Sequence, residues 1–160
     1  MSRKSLVFLG VALLLLSAGL QAQVRTAKPN DFTIELGGRC IVYSLNYQRM
    51  LAPAFGLEVG ASMIGGATSG SSSGLFFLSG GGRLYFIDKA ASPFIAGGLV
   101  FVTAGTNAGP FSGGGSGVYF YASPGFEYRM TGGFVFRGGV NFLIRHGFFV
   151  WPGIQLGIAF

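Results

Sequence analysis

The sequence predicts an all-β protein, an eight-stranded antiparallel up-and-down transmembrane β-barrel that follows a cleaved signal peptide. Three observations predict it. Half of the 160 residues are hydrophobic, only 10% are charged and 29 are glycine, against roughly 25% charged and about 7% Gly in an average domain. Beyond the N-terminal segment no uninterrupted run of 18 apolar residues occurs. A spanning helix needs ~20, and only helices and closed barrels satisfy their whole backbone in lipid. Finally, segments of about ten residues with period-two alternation recur along the chain, separated by turn residues, as barrel strands require.

The N-terminus reads MSRKSLVFLGVALLLLSAGLQAQ. Arg3 and Lys4 precede an apolar run over 6–16, and small and polar residues follow up to Ala22. That order is the n-, h- and c-region of a secretory signal peptide over 1–22, cleaved after Ala22. The run is too short for an anchor helix, and no Cys follows the cleavage point to carry a lipid. Residues 23–30 are expected as a short periplasmic segment and 31–160 as the barrel. Removal of Arg3 and Lys4 leaves nine basic and five acidic side chains, a net charge of +4.

Each strand follows from its alternation. Over 32–36, Phe32, Ile34 and Leu36 oppose Thr33 and Glu35. Over 41–49, Tyr43, Leu45 and Tyr47 oppose Ser44, Asn46 and Gln48. Over 55–63, Phe55, Leu57, Val59 and Met63 oppose Glu58 and Ser62. Over 75–86, Phe76, Leu78, Leu84 and Phe86 oppose Ser79 and Arg83. The segment 93–103 is apolar on both faces, so its register is ambiguous, but it completes the count of eight. Over 118–130, Val118, Phe120, Phe126, Tyr128 and Met130 oppose Ser123, Glu127 and Arg129. Over 134–145, Phe134, Phe136, Val140, Phe142 and Ile144 oppose Arg137, Asn141 and Arg145. Over 151–160, Ile154, Leu156, Ile158 and Phe160 oppose Gly153, Gln155, Gly157 and Ala159.

A half-buried strand of a soluble sandwich also alternates, but its polar face is solvated and rich in Lys and Glu. Here that face is mostly Gly, Ser and Asn with one or two Glu or Arg per strand, which suits a narrow interior behind a lipid-facing belt. Connections agree. On one side they are LAPA, DKAAS and TGG; on the other GRC, GGATSGSSSG, GTNAGPFSGGGSG and HGFFV. Short periplasmic turns and longer external loops are the usual asymmetry, and the Gly/Ser-rich pair reads as flexible loops without the aromatic or charged anchors of a binding surface. Tyr47, Phe55, Phe86, Tyr128, Phe134 and Phe160 have outward parity at the periplasmic ends of their strands, an aromatic girdle at a lipid–water interface.

The whole mature chain resembles the small eight-stranded outer-membrane barrels of the OmpX/OmpA type. The stretch ELGGRCIVYSLNYQR also resembles a first hairpin common in outer-membrane β-barrel families. The resemblance implies a Gram-negative cell outer membrane as the location, with outer-membrane lipids and lipopolysaccharide as surroundings. It also implies that the outer-membrane assembly machinery reads the last strand, which here assigns an assembly signal to Ile154, Leu156, Ile158 and Phe160.

Eight strands leave an interior just wide enough for side chains to fill. Parity places Glu35, Glu58, Glu127, Arg83, Arg129, Arg137 and Arg145 inside, together with Asn46, Gln48, Asn141 and Gln155. Isolated charges in such a space are expensive, so an ion-pair and hydrogen-bond plug is expected, with a narrow solute channel as the alternative. Some barrels of this size are lipid A-modifying enzymes that use a His with a nearby Ser and an acid. The lone His146 has Phe148 two residues on, where the deacylase pattern requires Ser, so no catalytic residue is assigned. No metal ligand set, cofactor loop or nucleic-acid-binding stripe is found, and a monomer is expected. The modest positive charge suits contact with anionic lipopolysaccharide. Cys40 has no internal partner for a disulfide and receives no role.

Overall fold

A computed structural model of the chain describes residues 24–68, 71–107, 113–145 and 147–160. The expected signal peptide over 1–22 and His146 lie outside these residues. A four-residue helix, α1 (Val24–Ala27), leads into eight strands: β1 (Asn30–Gly37), β2 (Tyr43–Ala52), β3 (Phe55–Thr68), β4 (Ser71–Tyr85), β5 (Ala91–Asn107), β6 (Gly113–Arg129), β7 (Phe134–Ile144) and β8 (Phe148–Ala159). Each strand pairs with its sequence neighbours, and β8 returns to β1, so the sheet is a closed barrel without edges in its wall.

Closure rests on the register Phe32↔Ile158, Ile34↔Leu156 and Leu36↔Ile154 between β1 and β8. The last residue is fastened as well. Phe160 N–H donates to the Asn30 carbonyl at 2.9 Å, and Asn30 N–H donates back to Phe160 at 3.1 Å.

Outward and inward residues alternate as the sequence implies. Ile34, Leu45, Leu57, Leu78, Leu156 and Ile158 are all exposed on the outer wall, while Thr33, Ser44, Glu58, Ser79 and Gln155 are buried inside. The ambiguous segment is resolved within β5: Phe94, Ala96 and Val100 face in, and Ile95, Leu99 and Phe101 face out. Its inward apolar residues belong to an interior cluster with Phe77, Tyr85, Tyr119, Tyr121 and Leu143, so the interior is part aromatic rather than wholly small and polar.

Two expectations about connections change. The Gly/Ser-rich stretches 65–74 and 105–117 are largely strand, with Gly65↔Gly74 and Thr68↔Ser71 paired across β3–β4 and Gly105↔Gly114 across β5–β6. Hydrophobic alternation cannot report strands made of Gly and Ser, because neither face carries an apolar side chain. Likewise β8 begins at Phe148 and not after a loop over 146–150. The rim remote from the termini, here the distal rim, is therefore uneven. The β3–β6 hairpins stand tall, whereas β1 stops at Gly37 opposite Gly153.

Candidate functional site: the interior charge ladder

The short β1–β2 connection does not point outward. After Gly37 and Gly38, both at φ +71°, a 3-10 turn over Gly38–Cys40 folds back into the barrel and buries Arg39 and Cys40. Gly38 is required there on two counts: its positive φ suits only Gly, and a Cβ would collide with the Glu35 carboxylate. The next residue, Ile41, has φ +73° and ψ −55°, with Val42 N–H bonded to the Cys40 carbonyl at 2.9 Å. This is the rare γ-turn geometry, costly for a β-branched residue. Trp151 Nε1 donates to the Ile41 carbonyl at 2.7 Å and Tyr119 Oη donates to the Arg39 carbonyl, holding the turn down from both sides.

At the opposite end α1 sends one buried side chain, Arg25, into the interior. Arg25 donates through Nε to Glu127 at 2.9 Å and through Nη1 to the Ile87 carbonyl at 3.0 Å. Between the two ends runs a continuous ladder. Arg39 pairs with Glu35 at 3.1 Å and also with Glu58, and Arg83 bonds Glu58 at 2.9 Å and Gln48 at 2.8 Å. Gln155 Oε1 accepts from Arg83 at 3.4 Å and from Arg137 at 3.2 Å. Arg137 then donates to Glu127 and to Asp31, each at 2.6 Å. Arg129 pairs with Asp31 and bonds the Lys28 carbonyl at 3.0 Å.

Five arginines and four carboxylates thus share the interior, none more than 2% exposed. The excess of guanidinium over carboxylate is offset by aromatic faces. Arg25 lies 4.3 Å from the Tyr85 ring centre, Arg83 lies 4.5 Å from that of Phe94, and Arg39 lies 5.1 Å from that of Tyr121. Such stacking favours arginine over lysine, because the guanidinium is planar and weakly hydrated. A remaining void bordered by Glu35, Phe94, Ser123, Arg137, Asn141 and Gln155 measures about 10 Å³, space for about one water molecule.

Of the residues expected inside, Glu35, Asn46, Gln48, Glu58, Arg83, Glu127, Arg129, Arg137, Asn141 and Gln155 are buried there. Arg145 is not. It has inward parity, but β7 ends at Ile144 and the side chain lies exposed above the ladder. Parity sets direction; depth along the barrel decides burial. Asp31, Arg25 and Arg39 complete the ladder without having been expected. Asp31 could have been found by extending the Thr33–Glu35 parity back one step, whereas Arg25 and Arg39 sit outside the strands, where no period applies.

In the girdle Tyr47, Phe86, Tyr128, Phe134 and Phe160 are exposed, while Phe55 is half-buried because its ring lies over Gly82 on the neighbouring strand. The residues Ile154, Leu156, Ile158 and Phe160 form one exposed outer row on β8 and at its end. Net positive charge does not coat the distal rim. Of the nine cations beyond Lys4, five are in the ladder, Lys28, Arg49 and Lys89 stand toward the terminal end, and Arg145 alone stands at the distal rim.

Cys40 is 0% exposed. The folded protein in lipid is therefore expected to resist maleimide labelling that goes to completion once it is boiled in detergent. Rapid labelling of the folded form would mean that the Gly38–Cys40 turn swings out of the barrel.

A single-chain closed barrel of eight antiparallel strands, apolar outside and charged within, has the architecture of the small outer-membrane barrels. Solved structures agree. The N-terminal β-barrel domain of Pseudomonas aeruginosa OprF matches with a TM-score of 0.60 at 12% identity, over 82% of this chain and 95% of that one. Ail, the attachment invasion locus protein of Yersinia pestis, solved with the heparin analogue sucrose octasulfate, matches with a TM-score of 0.50 at 10% identity, over 81% and 92%. No family model matches the chain, and no curated protein does. The fold is therefore that of an eight-stranded transmembrane outer-membrane β-barrel.

Proposed function

We propose that this protein is a non-enzymatic barrel of the outer membrane, exported by a cleaved signal peptide, with a structural or surface-contact role in the envelope and a lumen closed to solutes. The observation that carries the reading is the ladder of buried ion pairs and hydrogen bonds that links Arg39, in the β1–β2 turn, to Arg25, in α1. A channel needs weakly held, hydrated groups along its axis. Here each charged side chain is desolvated and held by groups on other strands, an arrangement that suits rigidity better than conduction. Two likenesses of fold to outer-membrane barrels support the location. Outer-membrane lipids and lipopolysaccharide are its surroundings, and the assembly machinery is the partner proposed for the Ile154–Phe160 row.

Planar-bilayer recording tests closure. The purified, folded protein is expected to give no discrete conductance steps across a range of voltages. Reproducible unitary steps would overturn the reading in favour of a narrow channel. Mass spectrometry of lipid A from cells with and without the protein tests the absence of enzymatic action, and a new or missing acyl chain would refute it.

A further inference from the structure

Among the described residues Arg49 is the one charged side chain that a strand turns outward, toward lipid. It is exposed and shares the parity of Leu45 and Tyr47. It stands one step beyond Tyr47 of the aromatic girdle, opposite Asn30 of β1 and Leu57 of β3. Asp31, Glu35, Glu58 and Glu127 are turned inward and committed to the ladder, and the fifth acid, Asp88, lies in the β4–β5 connection. Arg49 therefore has no carboxylate partner on its own strand or on either neighbouring strand. Beside it stands a second donor that is already oriented. Asn30 is fixed through its backbone, which exchanges hydrogen bonds with Phe160, and through its carboxamide, whose Oδ1 accepts from Tyr47 Oη at 2.7 Å. Its Nδ2 is left as a free donor on the same outer face as the guanidinium. Residues directly opposite on one face have Cβ atoms about 5 Å apart, close enough for both groups to reach one cluster of oxygens.

We propose that Arg49 and Asn30 together hold the phosphodiester of an anionic glycerophospholipid in the leaflet at the terminal end, its acyl chains lying along the outer wall past Leu45 and Val59. Both of those side chains are exposed on the side of Arg49 nearer the middle of the barrel. Phosphate oxygens accept from a guanidinium in a two-pronged pair, and the Asn30 amide adds a third, neutral hydrogen bond. Charge selects the headgroup. Lys28, Arg49 and Lys89 all stand toward this end, where Asp88 is the one exposed acid. A net negative lipid is attracted to such a surface, whereas a choline or ethanolamine headgroup brings a cation of its own against these three. Lipopolysaccharide belongs to the opposite leaflet. The site rests on the outer-membrane location proposed above and is independent of whether the lumen conducts.

The mature protein is folded into vesicles, transferred to detergent micelles, and titrated with phosphatidylglycerol or phosphatidylcholine of identical chains while native mass spectrometry counts the lipids retained. Expected is one retained phosphatidylglycerol per barrel, half-saturating at a concentration about tenfold below that of phosphatidylcholine. Arg49→Ala should abolish the preference, with Arg49→Lys in between because a point charge keeps the attraction but loses the fork. Tyr47→Phe frees the Asn30 amide to turn without touching the charge, and should weaken phosphatidylglycerol binding about threefold. Lys89→Ala removes a cation from the same end and should leave the preference in place. The heat-dependent gel shift shows that each variant is folded. Equal retention of the two lipids by the parent overturns the proposal, as does a preference that survives Arg49→Ala. A loss in Lys89→Ala as large as in Arg49→Ala also overturns it, since diffuse surface charge would then account for the binding. A mature chain that enters vesicles of neither lipid would instead bring down the outer-membrane reading, whereas a folded barrel blind to phosphatidylglycerol removes this site alone.

Discussion

Replacing Arg137 by alanine is expected to destabilise the folded barrel by about 3–5 kcal/mol, the usual consequence of removing one partner from a buried ion pair. Arg137 is the branch point of the ladder. It donates to Asp31 and Glu127 at 2.6 Å and to Gln155 at 3.2 Å, so its loss leaves two carboxylates short of a counter-charge in a space without bulk water. Arg129 and Arg25 still reach Asp31 and Glu127, which is why the effect should fall within that range and not beyond it. The measurement is urea unfolding in lipid vesicles, with the heat-dependent gel shift of the folded barrel as a second readout. Arg145→Ala is the control: exposed and outside the ladder, it should change stability by less than about 0.5 kcal/mol. Equal stabilities for the two variants would mean that the ladder contributes nothing to holding the barrel together.

The second large effect is expected at the closing seam. Gly157 pairs with Thr33 across β8–β1, and a Cβ there would press on the Phe32 carbonyl and sit 2.7 Å from Thr33 Cα. Both obstacles are backbone, which cannot rotate away, and the seam joins the first strand to the last. Gly157→Val should therefore cost about 3 kcal/mol or more through overpacking, a large share of a typical folding free energy of about 5–15 kcal/mol. The expected result is little or no heat-shifted folded species after refolding into lipid. Gly80→Ala makes the comparison, since an added Cβ at Gly80 meets nothing within 4 Å and the variant should refold like the parent. A Gly157→Val protein that refolds in full would require a seam looser than this register.

How much of this was legible in the residues depends on which physical signal each one carries. The outer wall was readable because Ile34, Leu45, Leu78 and Leu156 alternate with small or polar partners at a period that only strands share. The polar interior was readable for Glu58, Arg83 and Arg137 for the same reason. The tall hairpins were hidden because Gly and Ser have no apolar face to alternate, although their backbones pair as well as any others. Arg39 and Arg25 were hidden because turns and one-turn helices leave no periodic trace, and only the three-dimensional course of the chain brings them to Glu58 and Glu127. Arg145 misled because alternation is blind to where a strand stops.

The cross-links of the ladder also bear on how such a chain can enter a bilayer. Asp31 meets Arg129 and Arg137 at separations of 98 and 106 residues, and Arg25 meets Glu127 at 102. A partly inserted hairpin would thus carry bare charges into hydrocarbon, with their partners still in water, at several kcal/mol each. Such halfway states are disfavoured, and long-range pairing of this kind is slow to form. Insertion should therefore proceed as one concerted, slow event in which the first and last strands arrive together, and stopped-flow folding into vesicles should show a single kinetic phase.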